Sequence, residues 1–258
     1  MLSTQRESEI MRMVRAQKTC TIGELAEALD VSDETIRRNI KPLIAEGLVL
    51  KVHGGIVLPT HLDEPPFQQR ILKNREAKQA IAAHLSQLIK DGDTLIIDGG
   101  TTCVHVAHAL CQHNRLTVVT NSAEVARILA PRNDNKVFIT GGELRPDDSS
   151  AFGEVALAFI RQFRVRYAIV SVSCVTADGA FMYSQLCDAE FSRAALAQAE
   201  QRVVVADLAK FGQSALVTGF GPESVDRLVT DGEPVPALMQ VFAQTDLEVS
   251  WAQSVIDQ

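Results

Sequence analysis

Three observations predict an α/β chain in two parts, a small winged helix-turn-helix domain followed by a larger, mostly parallel α/β sheet domain. Residues 1–58 show helical apolar stripes around a tight turn and close in two short strands about a Gly-Gly pair. Residues 59–74 carry Pro59, Pro65 and Pro66, lack apolar periodicity and read as a linker. From residue 75 to 258 strand and helix patterns alternate, as they do in an open parallel sheet.

The first helix is expected from about Thr4 to Arg15, where Arg6, Ile10, Met13 and Val14 form one stripe. A short extended piece at Cys20–Ile22 leads to a second helix with Leu25, Ala26 and Leu29 on its apolar face. Asp30-Val31-Ser32 makes the turn, and a third helix starts at about Ser32. Ser32 suits the N-cap because its hydroxyl accepts from free backbone N–H groups, and Asp33 and Glu34 suit the positive end of the helix dipole. Ile36, Ile40 and Leu43 or Ile44 give this helix an apolar face, while Thr35, Arg37, Arg38 and Lys41 point elsewhere. Pro42 removes one backbone donor and is expected to kink the last turn. Gly47 stops the helix, and Leu48–Lys51 and Ile56–Leu58 form a wing around His53-Gly54-Gly55. Helix, tight turn and capped basic helix make a helix-turn-helix. On pattern alone the basic face fits either DNA contact or simple solvation.

In the second part, helices are expected at Glu76–Ile89, Cys103–Leu110, Ala123–Leu129, Val155–Phe163, Asp188–Ala199 and Pro236–Ala243. Strands are expected at Thr94–Ile97, Thr117–Val119, Val137–Thr140, Tyr167–Ser171, Arg202–Ala206 and Leu228–Thr230. Four strand ends run into small polar or glycine loops: Asp98–Thr102, Thr120–Ser122, Gly141–Glu143 and Asp207–Lys210. Parallel strands gather such ends at one edge, where ligands bind. Gly99 and Gly100 let backbone approach closely, Thr101 and Thr102 offer hydroxyls before a helix N-terminus, and Lys210 offers countercharge. That combination suits phosphate, although glycine and threonine at a strand end also serve as plain turn chemistry. Cys103 reads either as a small buried residue or as a thiol of lowered pKa.

Composition is that of an ordinary globular protein, with a net charge of −7. Residues 1–58 hold eight basic and eight acidic side chains, so the acidic excess falls on residues 59–258. Arg37, Arg38, Lys41 and Lys51 face only Glu46 over residues 37–53, a local basic footprint of the kind phosphate contact requires. Five cysteines without a C-x-x-C pair argue for reduced thiols and against a zinc site, so no metal or cofactor is expected. Without a long apolar run or signal-peptide core, the chain is expected in the cytoplasm, with no membrane partner.

The run ELAEALDVSDETIRRNIKPLIAEGLVLKVHGG, from Glu24 to Gly55, resembles the N-terminal domain of the DeoR family of bacterial transcription regulators. The resemblance implies that Thr35, Arg37 and Arg38 lie on the recognition helix and Lys51, His53, Gly54 and Gly55 on the wing. With the capping Ser32 and basic Lys41 these form the candidate DNA-binding set. Asn39 and Lys51 stand where the family usually has Asp and Arg. Over residues 75–232 the stretches LIIDGGTT, LTVVTNS, Gly141–Leu144, DLAKFG and LVTD resemble the same family's effector domain, similar in fold to ribose-5-phosphate isomerase and the coenzyme A transferases. This implies a phosphorylated sugar or related metabolite held by Asp98, Gly99, Gly100, Thr101, Thr102, Thr120, Asn121, Ser122, Gly141, Gly142 and Lys210. Residues Ser171–Gly179 depart from the glycine-rich loop common in the family.

The expected function is a DNA-binding regulator, a repressor of carbohydrate-utilisation genes controlled by that metabolite and working as a dimer or tetramer. The alternative is a sugar-phosphate isomerase with Glu190 or Asp178 as general base and Lys210 holding phosphate.

Overall fold

The computed structural model describes residues 3–17, 19–45, 48–52, 54–57 and 64–252. The chain divides into two compact units, residues 1–73 and 74–258.

In the first unit, α1 (Ser3–Gln17), β1 (Thr19–Thr21), α2 (Ile22–Ala28) and α3 (Asp33–Ala45) precede β2 (Leu50–Val52), β3 (Gly55–Val57) and a one-turn α4 (Phe67–Arg70). A capping box starts α2: Thr21 Oγ1 accepts from the Glu24 amide, and the Glu24 carboxylate accepts from the Thr21 amide at 2.7 Å. Asp30, at φ 50°, closes the turn into α3, and the Val31 amide returns to the Ala26 carbonyl. Ser32 caps α3 as expected, accepting from the Thr35 amide at 3.3 Å. The helix runs through Pro42 to Ala45 without interruption. Ile10, Val14, Leu25, Ile36, Ile40 and Ile56 form the core of this unit.

The wing is three-stranded, because β1 pairs antiparallel with β3 beside β2. Gly55 is required there, since a Cβ would lie 2.4 Å from the Cys20 carbonyl oxygen. Gly47, His53, Leu58 and residues 59–63 of the expected linker lie outside the described residues. Within residues 64–74, α4 is held by Arg70, which pairs with Glu64 at 2.8 Å and donates to the Pro65 carbonyl.

The second unit runs α5 (Arg75–Ser86), β4 (Thr94–Ile97), α6 (Thr101–Ala109), β5 (Thr117–Thr120), α7 (Ala123–Leu129), β6 (Lys136–Ile139), α8 (Glu154–Ile160) and β7 (Val165–Ser171). It continues with β8 (Cys174–Val175), β9 (Phe181–Tyr183), α9 (Leu186–Leu196), β10 (Ala199–Val205), β11 (Val217–Phe220), β12 (Arg227–Thr230), α10 (Pro236–Phe242) and β13 (Glu248–Trp251). Seven strands form one parallel sheet, ordered β13-β12-β10-β7-β4-β5-β6. Ile96, Val119, Ala168, Val170, Val204 and Leu228 are buried in it, as near-continuous apolar strands require.

The chain enters this sheet at β4, proceeds outward through β5 and β6, then returns to β7 on the other side of β4. The topological switch therefore lies between the C-terminal ends of β4 and β7. Two features of this unit were not expected from the sequence, the edge strand β13 and a small antiparallel sheet β11-β9-β8 whose β8 lies in the departing Ser171–Gly179 stretch.

Candidate functional site

In the first unit, α3 divides its two faces sharply. Ile36, Asn39, Ile40 and Leu43 are buried, whereas Ser32, Arg37, Arg38 and Lys41 are exposed and Thr35 is half-buried. Asn39 belongs to the inside: its side-chain amide donates to the Thr35 carbonyl at 2.6 Å, so a base contact from this position is excluded by its burial. The Thr35 hydroxyl lies 3.0 Å from that of Ser32. Lys51 and Gly54 are exposed on the wing, and the Gly54 carbonyl accepts from the Ile22 amide, tying the wing turn to the start of α2. Gly55 is buried and His53 lies outside the described residues.

In the second unit, the switch point is occupied by the Asp98–Thr102 turn. Asp98 is buried; Oδ1 accepts from the Gly100 amide at 2.9 Å and Oδ2 from the Ser171 amide at 2.8 Å. Burial pushes the Asp98 carboxyl up, against these hydrogen bonds. Its contacts make it the clamp between the ends of β4 and β7. Close packing fixes the glycines, since a Cβ on Gly99 would lie 2.1 Å from Ser150 Oγ and one on Gly100 would lie 1.7 Å from Ser171 Oγ. Gly100 caps α6, so Thr101, Thr102 and Cys103 supply its first turn. Cys103 is fully buried, and burial first, then Asp98, raises its thiol well above the ordinary value. It is an inert core thiol.

The neighbouring loops close around this turn. Thr120 Oγ1 accepts from the Ser122 amide, and Ser122 Oγ caps α7 by accepting from the Val125 amide. The Asn121 side chain is buried with neither its oxygen nor its nitrogen hydrogen-bonded, and the hydroxyls of Thr102, Thr140 and Ser150 are likewise buried and unbonded. Four unsatisfied polar side chains, following β4, β5 and β6 and in the loop that carries Ser150, make the C-terminal edge of the sheet a place where a hydroxyl- or phosphate-bearing ligand gains hydrogen bonds the protein itself does not supply. Lys210 donates to the Val172 carbonyl just beyond β7, which brings its ammonium to the switch edge. Gly141 and Gly142 are exposed beyond β6, Gly142 at φ 126°.

Sequence reasoning missed the stretch 145–152, which carries Ser150 to Gly99. Arg145 anchors it by pairing with Asp148 and, at 2.9 Å, with Asp188 at the start of α9, and its guanidinium lies 4.4 Å from the Phe152 ring centre. Burial opposes the Arg145 charge, but the two carboxylates outweigh it and raise the pKa. Arg145 is thereby committed to holding the loop. Asp178 sits exposed in the β8–β9 turn, bonded to the Thr176 hydroxyl, and Glu190 is half-buried on α9. Among the described residues no group of His, Cys, Asp or Glu is arranged to hold a metal ion, and no helix is long and apolar enough to cross a membrane.

Residues 6–61 match the model of the DeoR-like helix-turn-helix domain, and residues 73–232 that of the DeoR C terminal sensor domain. The glycerol-3-phosphate regulon repressor of Escherichia coli (strain K12) is 35% identical over 96% of this chain and 99% of its own. The HTH-type transcriptional repressor CsqR of the same organism is 35% identical over 95% of this chain and 94% of its own. Among solved structures, ribose 5-phosphate isomerase A from Methanocaldococcus jannaschii superposes with a TM-score of 0.40 and 14% identity, over 54% of this chain and 55% of that one.

Proposed function

Because the chain belongs to the DeoR family of transcription regulators, we propose that it is an operator-binding repressor controlled by a small phosphorylated sugar or related metabolite. The observation that carries the effector reading is the Gly99–Thr102 turn at the switch point, roofed by Ser150 and Ser171 and ringed by unbonded buried polar groups. In this reading the first turn of α6 and Lys210 take the phosphate, Asn121 and Ser150 take hydroxyls, and Asp98, Thr120 and Ser122 shape the loops. In the first unit Arg37, Arg38 and Lys41 enter the DNA, with Lys51 and the Gly54 turn contacting phosphates from the wing. The protein acts in the cytoplasm as a symmetric oligomer, since paired half-sites demand a twofold.

An isomerase reading is disfavoured because Asp178 is exposed and tied to the Thr176 hydroxyl in the β8–β9 turn, and the helix-turn-helix has no part in such a reaction.

The test is a thermal-shift screen of the purified protein against phosphorylated sugars and polyols and their unphosphorylated parents, starting with glycerol 3-phosphate, after which the regulon of one relative is named. A phosphorylated compound is expected to raise the melting temperature in the wild type and not in Thr101→Ala. A shift produced only by unphosphorylated compounds overturns the phosphate assignment. A duplex carrying the bound site, once selected from random sequence, is expected to lose about 1–3 kcal/mol of affinity in Arg38→Ala if that side chain reads a base.

A further inference from the structure

The seven-stranded sheet ends in two unlike edges. On β13 none of the residues is a large exposed hydrophobic, and Glu248 is paired with Arg227. On β6, Phe138 and Ile139 are 40% and 44% exposed, on opposite faces of the strand. Phe138 continues into a row of half-exposed rings, with Phe163 5.3 Å away and Phe159 5.3 Å beyond it, and Val155 stands 63% exposed on the same helix as Phe159. Natural edge strands are normally protected by charge, proline or a bulge. Here β6 carries one charge, Lys136 at its start, and neither of the other devices.

The backbone is equally open. The Lys136 amide donates to Leu116 and the Thr140 amide to Thr120, so residues 136, 138 and 140 turn their polar groups inward to β5. Those of Val137 and Ile139 therefore point outward.

We infer that β6 is an interface strand that pairs antiparallel, about a twofold axis, with β6 of a second copy of this chain. The outward groups fit that arrangement: Val137 faces Ile139 of the partner subunit and Phe138 faces Phe138 of the partner subunit, giving two hydrogen-bonded pairs with an aromatic pair between them. The charges fit as well. Lys136 precedes the strand's apolar stretch and Glu143 follows its end; both are exposed, and neither has an ion pair among the described residues. Antiparallel pairing brings the Lys136 end of each copy toward the Glu143 end of the other, and the symmetry doubles the interaction. The aromatic row and Val155 supply an apolar surface of the kind found at interface centres. The choice of a second copy as occupant rests on the reading of a regulator of paired half-sites.

The test is sedimentation velocity on the full chain, with binding to a mixed-sequence DNA duplex at low salt measured on the same samples. Ile139→Pro removes an outward amide without touching the ladder to β5, and is expected to weaken self-association at least about tenfold. Lys136→Glu and Glu143→Lys are each expected to weaken it by roughly threefold or more, and the double exchange to restore it. Restoration marks a self-complementary edge; a different partner protein gives none. A monomeric wild type, or an association unchanged in Ile139→Pro and in both charge variants, overturns the inference. Loss of DNA binding by the wild type itself overturns the regulator reading instead, whatever the association state.

Discussion

Gly100 shows how little freedom the switch point has. A methyl group there meets Ser171 Oγ at 1.7 Å and Ser171 Cβ at 2.9 Å, so Ser171 must turn away and give up its hydroxyl contact with Asp98. Gly100→Ala is expected to cost about 1–3 kcal/mol in thermal or urea unfolding, and Ser171→Gly in the same chain to recover most of it. No recovery in the double variant makes the defect one of helix capping. The sequence pointed to close approach at Gly99 and Gly100 because neither residue carries a Cβ, although plain turn chemistry fits the same residues. It could not say what approaches, since Ser150 and Ser171 arrive from other connections. The burial of Asn39 was legible too: its spacing from Ile36 and Leu43 places it on the buried stripe.

Elements were legible in proportion to the length of their apolar runs. The strands of the parallel sheet other than β13 were foreseen near their observed positions, because each carries a run of apolar, mostly β-branched residues, buried in the central strands and partly exposed in the edge strand β6. The antiparallel sheet was not, because β8 has two residues and β9 three, with the Thr176–Gly179 turn between them. For β13 the alternation Glu248, Val249, Ser250, Trp251 is too short to separate from loop. Register in the larger sheet is pinned at one point by Arg202, whose backbone and guanidinium both donate to Asp226 at the start of β12. The hydrogen bonds from Arg202 outweigh burial and lower the Asp226 pKa, so the folded state favours the carboxylate. This contribution is fully present above the unfolded carboxylate's pKa and is lost as pH falls through the lowered folded value. Asp226→Asn is expected to cost about 0.5–1 kcal/mol at neutral pH, kept small by solvent screening. Denaturation at a series of pH values should show that difference shrinking only below the usual carboxylate range; a constant difference assigns the loss to geometry.

Across the whole molecule, charge is divided so that the acidic excess lies outside residues 1–58. DNA binding therefore has to come from a few local cations, and its logarithm should fall linearly with the logarithm of salt concentration. Lys41→Ala is expected to reduce that slope by about 1 while weakening all duplexes alike; sequence-selective loss makes Lys41 a base contact. The same division has a kinetic side. The first unit pairs Val52 with Gly55 across a tight turn and Thr21 with Gly55 over about half the separation of the central pair in the second. In the second, the central pair joins Ile96 to Ala168, and the loop of chain between them has to be gathered before β4 gains its second neighbour. During synthesis the first unit is complete while β4 still has one bare side. Until β7 arrives, the half-built sheet exposes two apolar edges, and refolding yield should drop with protein concentration at that stage more than at any other.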